Sequence, residues 1–359
     1  MSVPKNMPKT RLQELELVRA IAILGVLIIH ITAQGTVEIP LGSRSQIIYL
    51  VINKLSNFAV PVFVMISAMV LFYRYAGQWS GKAAAGFYAK RIKFIVIPYL
   101  LWAFFYYIFY QWLPAQTWSG VNIDWLRFGE ALRWGQTAYH LYFIILILQF
   151  YLLFPLWMTA VEKWPWFRRH FVKLAIGFQI AFYVYQLWAG PFERPATLFG
   201  TYTGLFAIGA AIGLNYESFR RSIHHIWWVL VIAGLSGYSY ALVFVARQFS
   251  VDFGPIALEV LLNVYSCTIF MALLWIAYRL LQDAPRFSVW LSSLGTAAFG
   301  IYFMHPAVLS FSRTMWSYPG GSAAYHGFTL ASGAAAILIP WLLTVLLKKW
   351  RGSWLIIGK

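Results

Sequence analysis

A chain of 359 residues with 61% hydrophobic and 11% charged side chains has too little charge to coat a water-soluble globule, in which about a quarter of residues are charged. Its net charge of +17 is scattered between apolar runs, so it gives no basic face for nucleic acid, and nucleic acid is not an expected partner. The only cysteine, Cys267, excludes intramolecular disulfides and cysteine metal clusters.

A hydrocarbon core about 30 Å thick takes about 20 apolar residues per helix. Windows of that length predict an all-α, polytopic membrane protein, a single transmembrane domain over 1–359 with the lipid bilayer as its first partner. The ten expected spans lie near 14–34, 47–73, 91–113, 138–160, 172–190, 197–214, 225–247, 255–281, 288–312 and 327–348. Runs such as Ile144 to Leu148 and Trp227 to Ala233 lack the alternating polarity of barrel strands. At the N-terminus Lys5, Lys9 and Arg11 precede an apolar core, as in a secretion signal. Arg19 interrupts that core and no small-x-small cleavage site follows, so the first helix is expected to be retained.

With a cytoplasmic N-terminus and ten spans, 20 Lys and Arg fall in the tails and cytoplasmic connections. Only Arg44, Arg127, Arg133, Arg194, Arg247 and Arg313 fall in the opposite loops, while Arg19 and Lys54 lie inside spans. That bias is what the positive-inside rule predicts, and it places both termini in the cytoplasm. The aromatic content of 19%, including 18 Trp, suits belts at the lipid–water boundary.

An ionisable side chain at bilayer depth costs about 2.5–3.5 kcal/mol or more, so each one retained inside a span is a functional candidate. The first span holds Glu16, Arg19 and His30. Arg19 and His30 are eleven residues apart, about three turns plus 20°, which puts them on one face with about 16 Å between them. Glu16, one turn before Arg19, is placed to pair with it. That face should look into the bundle, since lipid would leave the charges unsolvated. The alternative is that Arg19 snorkels to the interface and His30 serves as a packing donor. Lys54 with Asn53 and Asn57 forms a polar turn on the second span, suited either to a polar substrate or to a snorkelling lysine. His140 opens the fourth span and His305 precedes Pro306 in the ninth; each is a site candidate or a packing histidine. No His-x-x-x-His or Glu-x-x-His pair exists to fix a metal, and no serine-hydrolase elbow or nucleotide-binding glycine loop is present. No metal is therefore expected. Oligomeric state has no signature in the sequence.

Several segments in order resemble the membrane acyltransferase-3 family, which includes bacterial O-acyltransferases of surface polysaccharides. The first is Glu16-Leu17-Val18-Arg19-Ala20-Ile21-Ala22 running to His30, followed by Phe58-Ala59-Val60-Pro61-Val62-Phe63-Val64-Met65-Ile66-Ser67. Lys90-Arg91-Ile92-Lys93 leads to Ile97-Pro98-Tyr99, and His140-Leu141-Tyr142-Phe143 precedes Tyr151-Leu152-Leu153-Phe154-Pro155-Leu156. Later matches are Leu205-Phe206-Ala207-Ile208-Gly209 and the stretch from Leu294-Gly295-Thr296 to His305-Pro306. Leu17 and Ala68 stand where the family often has glycine, and Phe94 where it often has a basic residue.

The resemblance implies acyl transfer, most simply acetyl transfer, from cytoplasmic acyl-coenzyme A to a carbohydrate hydroxyl, in the inner membrane of a bacterium. No permanently bound cofactor is expected, the acyl-coenzyme A being a substrate. In that chemistry His30 is the expected general base, Arg19 holds donor phosphate or developing negative charge, and Glu16 orients Arg19. Lys90, Arg91 and Lys93 would meet the polyanionic coenzyme, unless they serve only to orient the chain. His140, Tyr302, His305, Lys54 and Asn57 are the further candidates for binding substrate. Two other classes compete: a transporter or flippase for a small solute or lipid-linked glycan, and a structural or sensory subunit in which the polar face of the first helix is dispensable.

Overall fold

The computed structural model describes Leu12–Gly358, and every regular element among these residues is helical. In chain order they are α1 (Glu14–Thr32), α2 (Gly35–Glu38), α3 (Arg44–Leu55), α4 (Ala59–Tyr75), α5 (Gly81–Arg91), α6 (Ile97–Trp112), α7 (Trp125–Trp134) and α8 (Tyr142–Lys163). They continue with α9 (Pro165–Ala189), α10 (Thr203–Leu214), α11 (Tyr216–Ser222), α12 (Val229–Gln248), α13 (Gly254–Asp283), α14 (Pro285–Met315), α15 (Ala323–Leu347) and α16 (Trp354–Ile357).

Among the described residues nine helical stretches are long and apolar enough to cross a membrane: Glu14–Glu38, Arg44–Tyr75, Gly81–Trp112, α8, α9, α12, α13, α14 and α15. The sixth expected span, 197–214, is the exception: its helical stretch, Phe199–Leu214, is shorter. At 1.5 Å per residue it reaches only about 24 Å, less than the ~30 Å hydrocarbon core. Large apolar side chains such as Leu152 and Leu156 of α8 and Leu235 of α12 are exposed, as expected of surfaces that meet acyl chains.

Several ends differ from the sequence windows. The third span starts ten residues early, because Ser80 caps α5 by accepting from Ala83 N (3.2 Å) and the helix then runs on to Trp112. A wide turn at Ile92–Val96 joins α5 to α6. Pro98 explains it: the ring would collide with the carbonyl four residues back, and an enlarged turn removes the clash. The fourth span begins at Tyr142 rather than 138, so His140 lies in the turn before α8 and does not open the helix. That turn follows α7, an amphipathic helix absent from the sequence reading. Asp124 caps its start by accepting from Leu126 N and Arg127 N, and Gly135, at φ +65°, ends it in the left-handed conformation. Arg313, assigned from sequence to an outer loop, belongs to the last turn of α14. Lys5, Lys9, Arg11 and Lys359 of the charge tally lie outside the described residues.

The chain forms two compact units. One comprises Val64–Arg220 with the segment from Trp350. Its core is aromatic: Phe150 stacks on Phe206 at 4.4 Å, and Phe72 meets Phe154 edge-on at 5.3 Å. Here α10 approaches α4 through Gly209 and Gly213, where an added Cβ would lie 2.3 Å from the carbonyl oxygens of Met65 and Met69. The Gly-x-x-x-Gly spacing thus brings two backbones together, as is common where helices pack in lipid.

The other unit comprises Leu12–Phe63 and Arg221–Lys349. Within it α1 packs along α14 and also touches α3, α13 and α15, while α12 packs on α13 and α3. α1 and α14 run in the same direction, since Glu16 near the start of α1 meets Gly295, and His30 near the end of α1 meets Arg313, which lies further along α14.

Candidate functional site

α1 is helical because an almost unbroken apolar run, Leu17 to Ile31, follows two acidic residues, Glu14 and Glu16, in a first turn where the helix dipole favours negative charge. Glu16 accepts a hydrogen bond from Arg19 Nη1 at 3.1 Å. Its side chain is 10% exposed and that of Arg19 30%, so the pair is largely sheltered while Arg19 keeps part of its surface accessible. A guanidinium carries five N–H donors, and this contact uses one of them.

Three turns further on, the half-buried His30 stacks on His305 of α14, with ring centroids 5.5 Å apart and planes inclined by 27°. His305 is fully buried. Its Nδ1 lies 3.0 Å from the carbonyl oxygen of Ile301, one turn back. Because a carbonyl only accepts, Nδ1 carries the proton, and the neutral ring then presents Nε2 as its acceptor. Pro306 follows directly and has no N–H to continue the helical ladder. Tyr302, also buried, lies 6.5 Å from the His305 ring. The structure thus brings together His30, His305 and Tyr302, which come from two helices more than 270 residues apart in sequence.

The polar turn of α3 divides its contacts. Asn53 Nδ2 donates to Ile29 O at 2.8 Å and to Thr32 Oγ1 at 3.0 Å, so it touches the turn of α1 that carries His30. Asn57 Nδ2 donates to Tyr240 OH at 3.0 Å, and Lys54 Nζ lies 4.3 Å from the centre of the Phe244 ring, a cation–π contact. Tyr240 stacks on Tyr265, whose hydroxyl donates to Leu55 O at 2.6 Å. Lys54 and Asn57 therefore face α12 rather than α1.

Four candidates belong to the other unit. Lys90 is exposed. Arg91 is held between Phe87 and Tyr151, 4.9 and 4.6 Å from their centres, and its Nε is buried without a hydrogen-bond partner among the described residues. Lys93 lies over Trp354 at 4.7 Å and Phe94 at 5.4 Å. His140 is buried edge-on against Tyr106 at 5.2 Å. Among the described residues no group of three or more His, Cys, Asp and Glu is arranged to hold a metal ion.

The family model described as an acyltransferase domain matches residues 12–345, which run from the start of α1 to the last turn of α15. The chain belongs to the acyltransferase-3 family. Family membership therefore covers both α1, with Arg19 and His30, and α14, with His305 and Arg313. Relatives in Staphylococcus aureus strains MSSA476, MW2 and N315 are each 23% identical over 314 residues, covering 84% of this chain and 83% of their own. Each is named "Probable poly-beta-1,6-N-acetyl-D-glucosamine export protein". No solved structure matches the chain significantly.

Sequence reasoning missed Arg313. Its Nη2 donates to the carbonyls of His30 (2.8 Å) and Ile31 (3.2 Å). The signal was in the sequence, since Arg313 follows His305 by eight residues on one apolar helix, but a window ending at 312 left it in a loop.

Proposed function

We propose that this acyltransferase-3 family membrane protein is an O-acyltransferase, moving an acyl group, most simply acetyl, from acyl-coenzyme A to a hydroxyl of a cell-surface carbohydrate or its lipid-linked precursor. The observation that carries the reading is the stacked pair of His30 and His305. An imidazole half-buried on the inner face of a membrane helix is costly to retain for packing alone, and it is suited to accepting a hydroxyl proton.

In this reading the acceptor oxygen attacks the thioester carbonyl as His30 takes its proton. The carbon–sulfur bond then breaks, and the imidazolium returns the proton to the departing thiolate, giving an ester and free coenzyme A. His305 packs one face of the His30 ring and limits its rotation. Arg19, oriented by Glu16, offers positive charge to the donor or to the oxyanion. Lys90, Arg91 and Lys93 are assigned to the donor's phosphates, and Lys54 and Asn57 to the acceptor. The excess of Lys and Arg on one set of connections favours cytoplasmic termini in a bacterial inner membrane, with the donor entering from that side.

A second reading, export of a glycan, is favoured by the name that the staphylococcal relatives carry. The two part in one experiment: the purified protein in proteoliposomes, supplied with radiolabelled acetyl-coenzyme A and β-1,6-linked N-acetylglucosamine oligosaccharides. Label recovered in the sugar supports transfer. Passage of unmodified sugar across the bilayer, with no label in it, supports transport and removes the enzymatic reading.

A further inference from the structure

The end of α1 poses a problem that the histidine chemistry does not address. A helix leaves its last four carbonyls without N–H partners in its own ladder, and in lipid each needs a donor from elsewhere. Here the donors come from two neighbours. Asn53 of α3 serves Ile29 O, while Arg313 of α14 serves His30 O and Ile31 O through a single Nη2. A guanidinium suits the place twice over: it keeps its charge in any surroundings, and positive charge at a helix C-terminus complements the macrodipole.

We propose that Arg313 is a positioning residue for His30. α14 grips His30 at two points, its ring through His305 and its backbone through Arg313, two turns further along the same helix. The ring of a histidine in the last turn of a helix swings with the backbone that carries it. Fixing the carbonyls of His30 and Ile31 to α14 therefore sets the ring's place relative to His305. Without Arg313 the last turn of α1 has carbonyls to satisfy elsewhere, and it can fray or rotate. The proposal rests on the reading of His30 as proton acceptor for its functional consequence, but its structural core does not.

The test uses the full-length purified protein with Arg313→Gln and Arg313→Lys. The rate of His30 modification by diethyl pyrocarbonate, followed by mass spectrometry of the His30 peptide, reads the freedom of that ring without any need for turnover. His170, half-buried on α9 in the other unit, serves as the internal reference. Arg313→Gln is expected to raise the His30 rate about threefold or more over the reference. It is also expected to lower kcat of acetyl transfer roughly tenfold or more while both KM values stay within about twofold, as a misplaced general base would. Arg313→Lys, which keeps charge and one donor, should recover part of both effects, and it is the variant to read if Gln unfolds the protein. An unchanged His30 modification rate in a folded variant overturns the proposal, whatever happens to activity. A raised rate with no loss of kcat keeps the clasp but removes His30 as the base, so the two ideas fail separately.

Discussion

Replacing Gly295 with alanine would place a methyl carbon 1.8 Å from the carbonyl oxygen of Glu16, 2.6 Å from its carbonyl carbon and 3.1 Å from its Cα. Ordinary contact begins near 3.4 Å, so about 1.6 Å must be found where main chain lies opposite. No rotamer can yield there, and α1 and α14 must move apart or tilt. Overpacking by a single methyl typically costs about 1–3 kcal/mol, and a backbone neighbour puts this case at the upper end, ~3 kcal/mol. The same movement shifts Arg19 and His30 relative to His305, and a misplacement near 1 Å is enough to slow a positioned reaction by about 10²-fold. The assay is thermal unfolding of the detergent-purified protein beside kcat for acetyl transfer. Gly327→Ala on α15 is the control, since its added methyl meets nothing within 4 Å and should leave both unchanged. A Gly295→Ala protein that melts and turns over like wild type would refute the close approach of α1 and α14, and with it the placement of the histidine pair.

Three further outcomes follow from the same geometry. His30→Ala should lower acetyl transfer by about 10²–10⁴-fold with expression, insertion and melting intact, and full activity would remove the proposed base. Arg19→Lys should raise KM for acetyl-coenzyme A more than KM for the acceptor, because charge survives while the fork that matches phosphate does not; equal effects on both would count against a donor role. His305→Phe keeps a flat ring against His30 and should retain more kcat than His305→Ala, and equal loss in the two would mean that the imidazole nitrogens, not the packing, are what the site needs.

The location of α1 in the bilayer was written in its apolar run, and the relation of Arg19 to His30 followed from the helical period alone, because both depend on residues close in sequence. Local reasoning also found Glu16 beside Arg19, a pair that the structure joins at 3.1 Å. It failed where chemistry at one residue depends on a neighbour elsewhere in the chain. It also missed two local features, the Ser80 cap that starts the third span early and the helix α7, ended by Gly135, after which His140 lies ahead of α8.

By itself the sequence determined that the chain is a helical membrane protein, which residues are too polar to meet lipid, and which family's motifs it carries, since burial in a bilayer selects on composition and period. Only the tertiary structure decided which of those polar groups meet. Contact between His30 and His305, and the grip of Arg313 on the end of α1, require two helices to run alongside each other at a distance set by Gly295. No spacing within either helix encodes that distance, because helices in lipid are held by shape and by the donors and acceptors they offer one another.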